Sequence, residues 1–273
     1  MKPHALPATL VALALGAACG GDDLAGGALS VRVHGEAFAE EGIPADVFVD
    51  GWAVTFDRVL IALGDVTAAA GHEPVALEAP EVRIWDLAAS SGGAGFEVAS
   101  AEVPGGAYDH IAFRVAPAAD ATAGNASAED VELMTGGGLS LYVEGAAERG
   151  GERKSFRWGF SGATSYRHCE GTAVIDGGPA TTTLTMHLDH LFYDDLVAAE
   201  PNVAFDLIAA ADDAGDRDGE VTALELAAVD LATEERYQVG STGVEDLWSF
   251  IDHQTATIGH IDGEGHCGEA ERE

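Results

Sequence analysis

The stretch Met186–Leu191 contains side chains suited to metal chemistry: His187, Asp189 and His190. Zinc and copper accept imidazole nitrogens and carboxylates as ligands. His187 and Asp189 would share a face on a strand, whereas His187 and His190 would share a face on a helix. Because strand-like sequence gives way to helix-like sequence here, the two histidines are predicted to converge on a transition-metal ion. The alternative is a histidine pair that only makes hydrogen bonds at this junction.

Four further histidines supply candidate nitrogens: His168, His253, His260 and His266. No HExxH-like spacing and no CxxC pair accompanies them, so the spacing alone does not define the ligand set.

The acidic stretch from Asp212 to Glu225 resembles the calcium loop of an EF-hand. Such a loop surrounds the cation with oxygens, turns sharply at a glycine in position 6, and ends on a glutamate in position 12. With Gly219 in position 6, the resemblance assigns the ligands as Asp216 at 3, Asp218 at 5, Glu220 at 7 through its carbonyl, Thr222 at 9 and Glu225 at 12.

Position 1 of this loop departs from the pattern. Strict register gives Ala214, which has no side-chain oxygen, so Asp213 or Asp212 would have to serve with an extra residue in the loop. We take Asp213 as the candidate. The resemblance implies a structural calcium ion with a dissociation constant of about 10⁻⁴–10⁻³ M. The alternative is an acidic turn whose aspartates face water.

The amino-terminal sequence predicts export. An apolar run from Ala5 to Ala18 is too short to span a bilayer but has the length of a signal-peptide core. Small residues lead into Cys19 and resemble a bacterial lipobox, although Leu15 lies four residues before the cysteine rather than three. The resemblance implies a signal peptide over 1–18, an acylated Cys19, a flexible tether over 19–27, and a membrane-anchored protein of the bacterial cell envelope. An ordinary cleaved signal is the alternative.

The two remaining cysteines, Cys169 and Cys267, form an even pair in an oxidising compartment. A disulfide between them would fasten the carboxyl end to the middle of the chain. Two free thiols or a thiolate metal site are the alternatives.

The composition excludes one class of partner. The formal net charge is −34 at pH 7. Nucleic acid repels so acidic a surface, because binding requires neutralisation of its phosphates by Lys and Arg.

Residues 28–190 predict a mainly β unit, an antiparallel β-sandwich. Leu29, Val31 and Val33 alternate with polar residues, which is the period of a half-buried strand. Glycine-rich turns separate further short strand candidates. The strand candidates are 52–56, 59–63, 82–84, 108–115, 139–143, 155–160 and 181–188.

Residues 191–273 predict a small helical module with a carboxyl-terminal tail. Helical spacing occurs over 191–200, 202–211, 223–232 and 244–258. Thr222 and Thr242 are suited to N-capping. The module is expected to pack on the sandwich through Trp248.

The β region is similar to periplasmic copper-associated lipoproteins of the MbnP-like type. The similarity covers Trp52–Val66 and the stretch Phe156–Phe160 before Tyr166. It implies copper handling, but the multi-cysteine motif of those proteins is absent from this chain.

Two functions remain. The first is a non-catalytic, calcium-braced envelope lipoprotein with a binding or adhesion role. The second is a lipoprotein that handles copper or zinc through the His187/His190 region. No nucleophile elbow or phosphate loop is present, and we expect no enzyme activity.

Overall fold

The computed structural model describes residues 24–272. The predicted signal peptide, Cys19 and most of the predicted tether lie outside the described residues. Within them, no helix is long and apolar enough to cross a membrane.

The prediction of a mainly β fold is confirmed, because 42% of the residues lie in strands and 18% in helices. The strands are β1 (Gly27–His34), β2 (Ala53–Ala69), β3 (Leu77–Ala79), β4 (Arg83–Asp86), β5 (Phe96–Val103), β6 (Gly106–Tyr108), β7 (His110–Val115), β8 (Thr122–Ala123), β9 (Leu141–Arg149), β10 (Glu152–Phe160), β11 (Thr164–Cys169), β12 (Ala173–Ile175), β13 (Ala180–Met186), β14 (Glu220–Val221), β15 (Gly259–Ile261) and β16 (Cys267–Arg272). The helices are α1 (Glu36–Glu40), α2 (Ala128–Gly137), α3 (Asp206–Ala214), α4 (Ala223–Leu226) and α5 (Leu247–Gln254), with 3-10 turns at Leu188–Phe192 and Leu231–Thr233.

Two large sheets pack on one shared hydrophobic cluster. The first sheet has the order β15-β13-β1-β5, and the second has the main path β14-β10-β9-β2-β7-β11-β16. Most neighbours are antiparallel, as predicted, but the sheets are mixed. Three pairs are parallel: β1 with β13, β10 with β14, and β4 with β8.

The long strand β2 is buried on both faces. Val59, Ile61 and Leu63 enter the main core, whereas Leu60 and Ala62 belong to a smaller core that also contains Met134 of α2. This explains why the run 59–63 is continuously apolar rather than alternating, since a strand covered on both faces has no solvent side.

The carboxyl-terminal region completes both sheets. β14 pairs with β10, β15 with β13, and β16 with β11. The change from strand-like to helix-like sequence near residue 190 therefore marks a change of secondary structure. Residues before and after this point contribute strands to the same sheets. Trp248 stacks on Phe160 with ring centroids 4.8 Å apart, as expected for its packing role.

The prediction of a helix over 191–200 is wrong. The 3-10 turn ends at Phe192, and the following residues form bridges and turns. Asp194 accepts hydrogen bonds from Asn202, and Asp195 accepts them from the backbone of Val197 and Ala198. Such local side chain to backbone bonds compete with helix formation.

The disulfide Cys169–Cys267 is present, so that prediction is confirmed. The two cysteines face each other in the register of β11 and β16.

Candidate metal centre

Three histidines converge at one end of the four-stranded sheet. His187 follows β13 and directly precedes the 3-10 turn that contains His190. His260 lies in β15, opposite Thr185 of β13. The backbone N–H of His187 donates to the carbonyl of Ile258, which fixes the two chain segments beside each other.

The three imidazoles form a compact, buried group. Each offers one ring nitrogen, and these three nitrogens lie within 4.8 Å of one another. The residues are only 8%, 9% and 6% exposed for His187, His190 and His260. Ring centroids are 4.3 Å apart for His187 and His260, 5.5 Å for His187 and His190, and 5.2 Å for His190 and His260.

Hydrogen bonds select the nitrogens that are free to bind an ion. His187 Nε2 lies 3.2 Å from the carbonyl oxygen of Gly263, which only accepts, so Nε2 carries the proton and Nδ1 is free. The Thr257 hydroxyl donates to the Gln254 carbonyl and therefore accepts from His190 Nδ1 at 2.9 Å, leaving Nε2 free. This arrangement is that of metal-binding histidines, whose second N–H is held by an outer partner.

His260 gives the strongest support for a metal site. Its Nδ1 is buried and has no hydrogen-bond partner among the described residues. An unsatisfied buried polar atom is costly, and the great majority of such atoms in proteins are paired. A metal ion shared with His187 and His190 would satisfy an otherwise unpartnered imidazole.

Burial keeps His190 and His260 neutral at pH 7. Desolvation, with a smaller repulsion from His187, lowers the pKa of His190 to about 4. Desolvation, followed by repulsion from His187, His190 and His266, lowers the pKa of His260 to about 4. Neutral imidazole is the form that binds metal, so neither residue needs to lose a proton at pH 7.

The site opens on a cleft of about 330 Å³ whose lining includes His190, Tyr193, His260, Glu264 and His266. The ring of Tyr193 lies 4.4 Å from that of His190. A cleft beside three buried nitrogens provides a route for an ion and space for a fourth ligand.

Asp189 is close to the site but does not belong to the group of three ligand atoms. Its Oδ2 accepts from the Tyr193 hydroxyl at 3.2 Å. Burial raises the pKa of Asp189, and the hydrogen bond from Tyr193 is among the interactions that partly offset this. The structure thus brings the predicted His187 and His190 together and adds His260 as the third nitrogen.

In the sequence, His260 was one of four further candidate histidines, and nothing distinguished it from the other three. It lies 70 residues beyond His190, and only the pairing of β13 with β15 brings the two together. The period-2 alternation of short apolar segments does not reveal which strands are neighbours.

The metal-free protein is expected to lose stability between pH 6.5 and pH 4. An unfolded histidine takes up a proton near pH 6.5, whereas His190 and His260 resist protonation down to about pH 4 in the fold. The unfolded state therefore binds more protons in this window, and folding is penalised as the pH falls. Each histidine contributes on the order of 3 kcal/mol at most.

Urea unfolding in chelator at pH 7, 6, 5 and 4.5 measures this slope. The His190→Gln/His260→Gln variant should show a distinctly flatter one. An identical slope in both proteins would contradict the assignment.

The acidic loop has the layout of a helix, a loop, a short strand and a helix. Gly219 has φ +88°, the left-handed turn expected at position 6, and β14 follows it. Carboxylate oxygens of Asp212, Asp216 and Asp218 lie within 4.8 Å of one another. The Asp212 carboxylate also accepts from the Gly219 N–H at 3.3 Å. The acidic residue that joins the group is therefore Asp212 rather than Asp213.

The other predicted loop residues have protein partners. Thr222 and Glu225 form a capping box at the start of α4, and Glu225 Oε1 also accepts from the backbone of Asp216. Glu220 lies 3.5 Å from Arg157. Asp213 Oδ1 accepts from Lys154 Nζ at 2.6 Å.

Lys154 provides the counter-charge of the loop. Its Nζ lies 2.6 Å from Asp212 Oδ2 as well as from Asp213, and the lysine side chain is 7% exposed. Burial alone would lower the pKa of Lys154, but the bonds to Asp212 and Asp213 outweigh it and raise that pKa. Burial would likewise raise the pKa of Asp212, and the bond from Lys154 outweighs it and lowers that pKa.

Comparisons with protein-family models, with curated proteins and with solved structures found no match for this chain.

Proposed function

We propose that this chain is a non-catalytic transition-metal-binding lipoprotein of the bacterial cell envelope, anchored through Cys19, in which His187, His190 and His260 bind the ion. The observation that carries the proposal is the approach of three buried ring nitrogens to within 4.8 Å of one another. Burying three imidazoles together is unfavourable unless their nitrogens are satisfied. An ion does this for all three at once.

The donor set favours copper or zinc. Imidazole suits both metals, and copper(II) binds more tightly than zinc at a comparable site. Three protein nitrogens would leave a fourth coordination position, and the cleft that His190 and His260 line together with His266 and Glu264 could supply its ligand. The resemblance to MbnP-like proteins points in the same direction, towards copper.

A role in holding or transferring metal fits this arrangement better than adhesion does. The three histidines are buried, but His190 and His260 line a cleft, which would give an ion a route in and out of the folded protein. The strongly acidic chain attracts cations to its surface.

The test is a competition titration of purified, chelator-treated protein with Cu²⁺ and Zn²⁺ against a chromophoric chelator. The His187→Ala/His190→Ala variant is expected to lose one equivalent of tightly bound metal ion. His253→Ala is the matched control, because it removes one histidine of α5 that does not belong to the group of three ligand atoms. Unchanged stoichiometry and affinity in a folded double variant would refute the proposal.

A variant of the hydrogen-bond partner of His190 distinguishes an effect on metal binding from an effect on core packing. Thr257→Val keeps the side-chain shape but removes the acceptor of the His190 N–H. Loss of such an outer partner typically weakens metal binding by about 10–100-fold. The free energy of unfolding of the metal-free variant should change much less than its metal affinity.

We also propose that the acidic loop binds calcium as a brace between α3 and α4. The specific support concerns position 1, where strict EF-hand register gives Ala214 and hence no side-chain oxygen. Asp212 supplies a buried carboxylate instead, and this carboxylate accepts a hydrogen bond from the Gly219 N–H. The loop then runs from Asp212 to Glu225 and is longer than the 12-residue standard.

Thermal unfolding with Ca²⁺ against Mg²⁺ tests the brace. At a hundredfold excess over the dissociation constant, calcium should add about 2.7 kcal/mol of stability. Asp218→Asn and Glu225→Gln should reduce this gain, whereas the exposed control Glu132→Gln should not. Equal responses to the two cations would argue against a calcium site.

A further inference from the structure

A buried amide lies beside the histidine group. Gln254 is the last residue of α5, is only 2% exposed, and lines the same cleft as His190 and His260. The Thr257 hydroxyl, which lies 2.9 Å from His190 Nδ1, is also 2.9 Å from the carbonyl oxygen of Gln254 and 3.4 Å from its side-chain Oε1. Thr257 therefore links the amide to one of the proposed metal ligands.

The amide nitrogen of Gln254 has no partner of its own. Nε2 is buried and makes no hydrogen bond among the described residues. An amide nitrogen donates and does not accept, so it requires an acceptor, and a buried donor left without one is costly. The great majority of buried polar atoms in proteins are paired. An acceptor carried by a ligand in the cleft would meet this requirement.

The fourth coordination position of the proposed metal ion is not filled by the described side chains. Among these residues, no carboxylate and no further histidine joins the three ring nitrogens within 4.8 Å. Glu264 and His266 line the cleft but are exposed. Zinc sites with three protein ligands can leave the fourth position to water or to a small ligand. The cleft, at about 330 Å³, has the size of a small-molecule site.

Charge restricts the kind of ligand that can bind. The pKa values of His190 and His260 are lowered to about 4, so both rings are neutral at pH 7, and the carboxylates of Asp195 and Glu264 line the cleft. The metal-free cleft therefore disfavours an anion. A bound divalent cation reverses this preference, because it becomes the largest local charge. An anion with two acceptor oxygens can then meet both the ion and the Gln254 amide.

We propose that a small organic carboxylate takes the fourth position, with one oxygen on the ion and the other accepting a hydrogen bond from Gln254 Nε2. The inference rests on the metal site proposed above and names the second ligand of that site. Gln254 determines specificity in this arrangement, because its amide favours a ligand that offers a second acceptor. Carboxylate binding is metal-dependent, since the cleft holds no other positive charge than that of the ion among the groups named here.

The experiment is a titration of the full chain, loaded with one equivalent of Cu²⁺, with acetate in a buffer free of other carboxylates. Electron paramagnetic resonance of the bound Cu²⁺ should change saturably with acetate. Calorimetry of the metal-free protein should show no acetate binding. Gln254→Leu removes the donor at similar size and should weaken acetate binding by about tenfold or more, because hydrogen bonds to charged groups are among the stronger ones.

Two further variants separate the hydrogen bond from packing. Gln254→Glu keeps the shape of the side chain but replaces the donor with a like charge, so it should abolish the acetate response. Gln238→Leu is the matched control, because the Gln238 amide is exposed and donates to the Glu235 carbonyl at 2.8 Å. In acetate-free buffer, Gln254→Leu should keep its Cu²⁺ affinity within a few-fold of the wild-type value, since Gln254 is not itself a metal ligand.

The outcomes separate this inference from the proposed metal site. Absence of tight Cu²⁺ binding would refute the metal site and this inference with it. Tight Cu²⁺ binding without an acetate response, or with equal acetate affinity in Gln254→Leu and the wild type, would overturn the inference alone. An acetate response that appears only in Glu264→Gln would assign the fourth position to Glu264 and would overturn the inference as well.

Discussion

Replacing Lys154 with methionine is expected to lower the free energy of unfolding by about 3–5 kcal/mol. Lys154 is the only lysine beyond Lys2, and its ammonium group lies 2.6 Å from the carboxylate of Asp212, whose side chain is 1% exposed. Removing one partner of a buried ion pair leaves the other charge uncompensated, and this costs far more than the pair contributes. Chemical denaturation at pH 7 in chelator measures the loss.

The neighbouring Arg153→Met variant is the matched control. Arg153 pairs with Glu148 on the exposed side of the same strand, and exposed pairs contribute about 0–1 kcal/mol. The double variant Lys154→Met/Asp212→Asn should recover much of the loss, because neither buried charge then remains. A loss below about 1 kcal/mol for Lys154→Met would show that Asp212 is solvated or neutral in the fold.

Calcium links this prediction to the acidic loop. If Ca²⁺ binds Asp212, Asp216 and Asp218, it replaces the missing ammonium charge, and the loss in Lys154→Met should shrink when calcium is added. Magnesium should have less effect, because it demands near-ideal octahedral geometry. A loss that is the same in calcium and in chelator would argue that Asp212 does not meet the cation.

Removing the disulfide with Cys169→Ala/Cys267→Ala is expected to cost about 2–5 kcal/mol. The bond joins cysteines 98 residues apart, so its loss frees a long loop in the unfolded state. The exposed strand β16 should be affected first, since most of its residues face solvent and it pairs only with β11 among the described strands. Equilibrium unfolding gives the energy, and hydrogen exchange of β16 gives its location.

The buried histidine group should survive this change. None of its three residues lies on β16 or β11, and His260 is held by β13. Zinc affinity of the double variant should therefore stay within a few-fold of the wild-type value. A collapse of zinc affinity would mean that the disulfide, rather than the β13–β15 pairing, positions His260.

Much of the secondary structure could be predicted from local pattern. The alternation over Leu29–Val33 becomes β1, and the glycine at 219 makes its left-handed turn, because both depend on residues close in sequence. The predicted helix over 191–200 failed for a local reason as well, since aspartate side chains bind the backbone there. Helices α3 and α5 lie within or beside their predicted ranges but are shorter or shifted at the start.

The acidic loop was partly visible in the sequence. Spacing predicted Asp216, Asp218 and Glu225, but it did not decide between Asp212 and Asp213; only the Asp212 carboxylate lies with those of Asp216 and Asp218. Asp212 and Asp213 both accept hydrogen bonds from Lys154, which lies 58 residues before Asp212. A lysine on a distant strand leaves no trace in the local pattern.

The amino-acid sequence by itself predicted the mainly β fold, favoured a disulfide between the two cysteines beyond Cys19, and indicated candidate ligand nitrogens at His187 and His190. Only the tertiary structure decided that His260 lies beside them and that Asp212 enters the acidic group. Residue type and spacing act over a few residues, whereas a metal site needs side chains within a few ångströms that strand pairing gathers from anywhere in the chain.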